Sequence, residues 1–219
     1  MAALADGERV VWGIVSLRAM RVHWALIELG LDYRTERVQS RTGETQTDAF
    51  TQMHPGQKIP VFQDGALTLT ESSAIVTYLA DRYSGAEARL IPEDPVGRAR
   101  FFEWNSFTTM ELDATTLYVL RRHKYLQEIY GDAPAANKVA EEYFTRMINS
   151  VVSTIDDGRT YLLGEAFSGS DIILTTCLDW AIRYKMEIPD AFHAYRERVM
   201  ARPSYARACE ANESPRVVS

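Results

Sequence analysis

The chain has 219 residues, 46% of them apolar and 25% charged, which is enough apolar surface for a packed core and argues against disorder. Its formal net charge of −6 argues against nucleic acid as a partner, since phosphate-backbone binders carry clustered Lys and Arg that release counterions. Two cysteines, Cys177 and Cys209, make neither a C-x-x-C pair nor a disulfide framework, which predicts a reducing, cytoplasmic setting; residues 1–10 show no basic-then-apolar leader and no run reaches the ~20 apolar residues of a membrane span.

Residues 10–15 (VVWGIV) form a continuous β-branched and aromatic run, the length of a buried strand. A helix is predicted over 19–29, where Val22, Ala25, Leu26 and Leu29 recur at helical spacing and Gly30 stands where a left-handed cap belongs. A weaker second strand over 31–38 follows as a βαβ crossover requires, and residues 39–53 read as polar and irregular. Two short apolar runs, 59–62 and 66–69, flank Asp64-Gly65, a hairpin signal. Residues 72–83 read as a helix with Ile75, Val76, Leu79 and Tyr83 facing inward.

The character changes over 84–95, a connector with Gly85, Pro92 and Pro95. Beyond it a long helix or a broken pair is predicted over 96–130, and further helices over 135–155, 168–185 and 190–202. The fold class is therefore an α/β N-terminal domain, residues 8–84, followed by an all-α helical bundle domain, residues 92–212. Within the bundle, Phe167-Ser168-Gly169-Ser170-Asp171-Ile172 has the form of a capping box with an apolar staple, a folding signal rather than a catalytic one.

Three places carry candidate chemistry. Pro60 sits at the start of a strand, where a cis Ile59-Pro60 bond would leave the main chain of Ile59 open to an added peptide strand. Glu71 and Ser72 stand at a helix start, where they serve either as a cap or as an anchor for an amino-acid head group, with the carboxylate of the ligand on the helix dipole. Ser16, the only hydroxyl or thiol side chain among the first 32 residues, lies between a strand and a helix; it either caps the helix or donates to a thiolate and lowers its pKa. Arg18 could assist that thiolate or be solvated.

These residues resemble the glutathione transferase family over nearly the whole chain: strand, Ser16 and helix first, then HPGQKIPVF (54–62), ESSAIVTYLA (71–80), FSGSDI (167–172) and RPSYARA (202–208). The resemblance implies a thioredoxin-like first domain and glutathione as co-substrate. It implies Ile59 pairing with the cysteinyl backbone beside a cis Pro60, Glu71 and Ser72 on the γ-glutamyl end, Lys58 with Gln57 or His54 facing the glycyl carboxylate, and Ser16 on the sulfur. A small hydrophobic electrophile would bind between the domains against Phe107, Met110, Ala114, Tyr118 and Trp180, each of which could instead be core. The resemblance also implies a homodimer and a role in detoxification.

Two departures from the pattern stand out. His54 replaces the usual asparagine, and the bacterial beta-class cysteine near the first helix is absent, so Val15 or Ser16 stands opposite it and a theta-like serine mechanism is expected. A non-catalytic glutathione-binding scaffold and a glutathione-dependent isomerase, dehalogenase or ether-cleaving enzyme are the alternative readings. Metal catalysis is not expected, because the four histidines are widely spaced.

Overall fold

The structure, a computed structural model, describes residues 7–213. They fall into two compact units: residues 7–91 with 202–213, and residues 92–201.

The first unit is built on a four-stranded sheet in the order β2-β1-β3-β4. β1 (Arg9–Trp12) pairs parallel with β2 (Arg34–Glu36) and antiparallel with β3 (Val61–Asp64), which pairs antiparallel with β4 (Leu67–Leu69). α1 (Leu17–Glu28) makes the crossover between the parallel strands, burying Val22, Ala25 and Leu26 completely. Gly30, at φ 65°, supplies the left-handed residue after it. α3 (Ser72–Tyr83) matches its expected span and packs on α1 with Ile75, Val76 and Leu79 fully buried.

The stretch expected to be irregular contains α2 (Asp48–Met53), started by Thr47, whose hydroxyl accepts the Phe50 N–H at 3.3 Å. Its anchor is a single apolar residue, Phe50, 3% exposed and edge-on to Trp12. One anchor in six residues is too little periodicity to read from sequence.

The second unit begins with α4 (Pro95–Phe107), capped by Asp94, which accepts the Gly97 N–H at 2.8 Å. The helix then widens over Thr108–Leu117, where the Tyr118 N–H reaches the Asp113 carbonyl, five residues back. Thr109 and Thr115 donate their hydroxyls to the carbonyls of Asn105 and Met110, both at 2.6 Å. Side-chain hydroxyls competing for ladder carbonyls are a known cause of such irregularity. α5 (Tyr118–Leu120) and a second wide stretch, Arg121–Tyr125, continue the rod until Leu126 breaks it at φ −130°, ψ 34°. α6 (Gln127–Tyr130), α7 (Pro134–Ser150), α8 (Val152–Ile155), α9 (Gly169–Arg183) and α10 (Asp190–Met200) complete the bundle.

α9 is its central helix, with every residue from Gly169 to Ala181 buried. The capping box at Ser168 and Asp171 is present, but Asp171 does more than cap. Its carboxylate also accepts the Leu162 N–H at 2.9 Å and the Tyr195 hydroxyl at 2.7 Å, so it joins a loop, the start of α9 and α10. A buried ion pair at 2.6 Å, Arg196 with Asp179, makes a second tie between α9 and α10.

The last helix, α11 (Pro203–Ala211), was expected in the helical domain and instead packs against α1. Glu28, at the end of α1, accepts Arg202 Nε and Nη2 at 2.7 Å each, and also the Ser204 hydroxyl. Trp24 donates its indole N–H to Ser204 at 3.1 Å and stacks edge-on with Tyr205. Burial opposes the charge on Glu28, but these donors outweigh it and hold the carboxyl below its ordinary value. Among the described residues no helix is long and apolar enough to cross a membrane.

Removing the Asp171 acceptor strands several buried donors at once, so Asp171→Ala is expected to destabilise the protein by about 3–5 kcal/mol. Ser168→Ala, which loses cap contacts only, is expected to cost about 1 kcal/mol. Urea denaturation of both variants checks the ranking.

Candidate functional site

β1 ends because Gly13 turns the chain. It takes φ 140°, and a Cβ there would lie 2.9 Å from the Ile59 Cβ, so only glycine lets the segment before β3 come this close. The Gly13 and Ile14 N–H groups still donate to the carbonyls of Glu36 and Val38, each at 3.0 Å. Val15 follows at φ 54° with 49% of its surface exposed. For a β-branched residue this is a true outlier, costing about 1–3 kcal/mol. It persists because its N–H donates to the Asn212 carbonyl at 2.7 Å.

Ser16, half-buried and extended at φ −144°, ψ 130°, is the N-cap of α1. Its Oγ accepts the Ala19 N–H at 3.4 Å, and its own N–H faces Asn212 Oδ1 at 3.4 Å. A hydroxyl whose lone pair is used in this way keeps its hydrogen to donate to an acceptor outside the helix. Capping and donation are thus compatible at this serine. Arg18 lies half-buried in the first turn of the same helix.

The Ile59–Pro60 bond is cis. The β1–β3 ladder opens at Trp12 opposite Val61, so half-buried Ile59 stands outside it, at the strand end next to Gly13. Just before it, Gln57 takes φ 51°, donates its N–H to the His54 carbonyl at 2.9 Å and its side-chain amide to Thr51 at 3.0 Å. The His54 ring lies against Gly56, where a Cβ would approach Cε1 to 2.7 Å. Lys58 is exposed on this same turn between α2 and β3.

At the start of α3, Glu71 takes φ 64°, ψ 106°, and its side chain makes no capping bond. Its carboxylate is exposed, and the helix start is held by the Ile75 N–H on the Glu71 carbonyl at 3.0 Å. Ser72 is the first helical residue rather than the cap. It is 5% exposed, and its hydroxyl accepts Arg21 Nη1 at 3.2 Å, which leaves the O–H free to donate. Arg21, 1% exposed on α1, thus places a cation behind the start of α3. Sequence reading passed over Arg21, although it stands four residues before Ala25 on the apolar stripe of α1, where a charge is out of place.

Ile59 and Pro60 are thus tied to the turn that carries Ser16 through Gly13, and Ser72, with Glu71 before it, is tied to α1 through Arg21. His23 secures the turn from behind. It is completely buried, with Nε2 at 3.0 Å from the Gly13 carbonyl and Nδ1 at 3.1 Å from the Tyr33 hydroxyl. Burial lowers its pKa to about 4, against the raising effect of the Gly13 hydrogen bond. The neutral ring donates from Nε2 and accepts at Nδ1, an arrangement that satisfies both contacts.

In the helical unit, Met110 and Ala114 are exposed and Phe107 and Tyr118 half-buried along the widened helix, opposite buried Leu112, Thr116 and Leu120. Phe107 lines a cavity of about 620 Å³ beside α4 together with Trp104, Val151, Leu162 and Arg159; Met110, Ala114 and Tyr118 do not line it. Trp180 is different. At 4% exposure, edge-on to Tyr184 and beneath the Arg121 guanidinium, it is core, as its place on the fully buried stretch of α9 requires.

The chain belongs to the glutathione S-transferase family: the model of the family's N-terminal domain matches residues 9–81 and that of its C-terminal domain residues 107–203. Among curated relatives, glutathione S-transferase theta-2 of Mus musculus is 30% identical over 78% of this chain and 72% of its own. A glutathione S-transferase of Hyoscyamus muticus is 26% identical over 90% and 94%. Among solved structures, the theta class glutathione S-transferase of the citrus canker pathogen Xanthomonas axonopodis pv. citri, with glutathione bound, superposes with a TM-score of 0.77 at 27% identity. That match covers 92% of this chain and 97% of the other.

The buried His23 has a measurable consequence. Its imidazole titrates near 6.5 in the unfolded chain and about 4 in the folded one, so between these values the unfolded state binds more protons and stability falls as pH falls. The loss is complete near pH 4 and amounts to about 3 kcal/mol. Denaturation curves across this range, compared with those of His23→Gln, are expected to differ by this slope.

Proposed function

We propose that this chain is a glutathione transferase that uses Ser16 to keep the thiol of glutathione ionised for attack on a small apolar electrophile. The observation that carries the reading is the geometry of Ser16: a helix-start hydroxyl with its lone pair on the Ala19 N–H and its hydrogen available. An O–H donated to sulfur favours the thiolate over the thiol, as do the positive end of α1 and the nearby Arg18. The thiol proton goes to solvent; the sulfur then forms a bond to carbon, with displacement of a leaving group or addition across an activated double bond.

The remaining residues hold the tripeptide. The main chain of Ile59, outside its own ladder and preceding cis Pro60, pairs with the cysteinyl backbone as an added strand would. Glu71 matches the ammonium of the γ-glutamyl group. Ser72 and the first N–H groups of α3 match that group's carboxylate, with Arg21 supplying positive charge from behind. Lys58, with Gln57 or His54, faces the glycyl carboxylate. Solved relatives that carry glutathione, the Xanthomonas structure among them, support the choice of ligand. Met110, Ala114, Tyr118 and Phe107 offer the electrophile an apolar face, and a homodimer in the cytoplasm is the expected form.

Turnover of a generic aryl halide with glutathione separates this reading from a scaffold that binds without reacting. Ser16→Ala is expected to lower kcat about 100-fold or more while changing the half-saturating glutathione concentration by about threefold or less. An equal loss in both, or none, would reject the thiolate role.

A further inference from the structure

We infer that Asn212 is a positioning residue for Ser16: from the end of α11 it holds the turn whose shape decides where the Ser16 hydroxyl points. The inference rests on the thiolate role proposed for Ser16. Two consecutive amides of the turn converge on this one residue, the Val15 N–H on its carbonyl at 2.7 Å and the Ser16 N–H on its Oδ1 at 3.4 Å, across 196 positions of sequence. Val15, at φ 54°, needs a partner outside its own element to hold that conformation. Asn212 itself is completely buried, which a side-chain amide tolerates only with its polar atoms engaged.

The delivery of Asn212 is built into the fold. α11 starts at the end of α1, where Glu28 grips Arg202 and Ser204, and finishes at the start of α1. Its finish is tied down by Arg37, which donates to Glu213 at 2.8 Å. The two helices therefore run antiparallel in contact, and the carboxyl end of α11 meets the β1–α1 turn. The carbonyl that receives Val15 would be supplied by any residue at position 212, whereas the Oδ1 that faces Ser16 requires this side chain. Without it the Ser16 N–H loses that partner and the residue is held by its contacts to α1, the Met20 N–H on its carbonyl at 2.8 Å and the Ala19 N–H on Oγ at 3.4 Å, so the weakly held Oγ shifts away from the sulfur of a bound thiol. Hydrogen bonds of catalytic groups are often long in the free protein and tighten in the complex, in keeping with the 3.4 Å contact.

The test compares wild type, Asn212→Ala, Asn212→Asp and Ser16→Ala as full chains, with thermal melting to establish folding. Amide hydrogen exchange at Val15 and Ser16 is read in the free protein, and the thiolate of bound glutathione is titrated by its ultraviolet absorbance. In Asn212→Ala, exchange at Ser16 is expected to rise about tenfold and the pKa of the bound thiol by about one, with kcat at neutral pH falling about tenfold and the glutathione KM nearly unchanged. Asn212→Asp, which keeps the acceptor oxygen, is expected to restore all three.

A folded Asn212→Ala protein that exchanges and titrates like wild type overturns the inference, as does a loss that Asp fails to restore. If wild type and Ser16→Ala titrate alike, the thiolate role is what fails. In that case exchange alone decides whether Asn212 holds the turn, faster exchange supporting it and unchanged exchange overturning it. Should Asn212→Ala not fold, Asn212→Ser, with its shorter oxygen, is read in its place by the same criteria.

Discussion

The candidate site hangs on how the chain leaves β1. Between Trp12 and Leu17 it must turn out of a sheet and into a helix while passing close to Ile59, and the amides of that turn are taken by two other parts of the unit. Gly13 and Ile14 are held by the strand side, at Glu36 and Val38, and Val15 by the end of α11. Gly13 adds the missing Cβ that makes room for Ile59. A turn determined from so many sides can store an exposed valine at positive φ, and strain of this kind survives only where the surroundings over-determine it. The serine that follows is held by that determination together with its own helix, whose Ala19 N–H it caps.

Around this turn, buried polar groups play two distinct parts. Arg21 and His23 lie on the inner face of α1, one reaching forward to Ser72 and the other back to the Gly13 carbonyl. They tie α1 to the start of α3 and to the turn after β1 by directional bonds, and apolar contact does not specify direction. In the helical unit, Asp171 and the Asp179–Arg196 pair fasten α9 to its neighbours in the same manner. The same chemistry therefore borders a candidate site in one unit and ties helices together in the other. Beside the candidate site stand Ile59, outside its ladder, and Glu71, without a capping bond.

Much of this was legible in the residues. The β-α-β then β-β-α order, the span of α3, the change of character near residue 90 and the capping box at Ser168 follow from periodicity, turn chemistry and caps, all of which act over a few residues. Ser16, Ile59, Pro60, Glu71 and Ser72 could be picked out as a set because each sits at the end of an element. What escaped was of another kind. α2 has one apolar anchor; the widened turns after Phe107 arise from threonine hydroxyls competing with the backbone; and Trp180 looked available until α9 proved to be buried on every side. Arg21 was visible as a charge on an apolar stripe, but its partner was not.

By itself the sequence determined the two-part architecture, the secondary elements with strong periodicity and the residues that stand at their ends, because these are properties of neighbours along the chain. Only the tertiary structure decided that the last helix returns to the first unit, that Val15 is strained, and that Asn212 meets Ser16 across 196 positions. Contacts at such separation are selected by the packing of whole helices and by the matching of buried donors to acceptors, and neither leaves a local pattern to read.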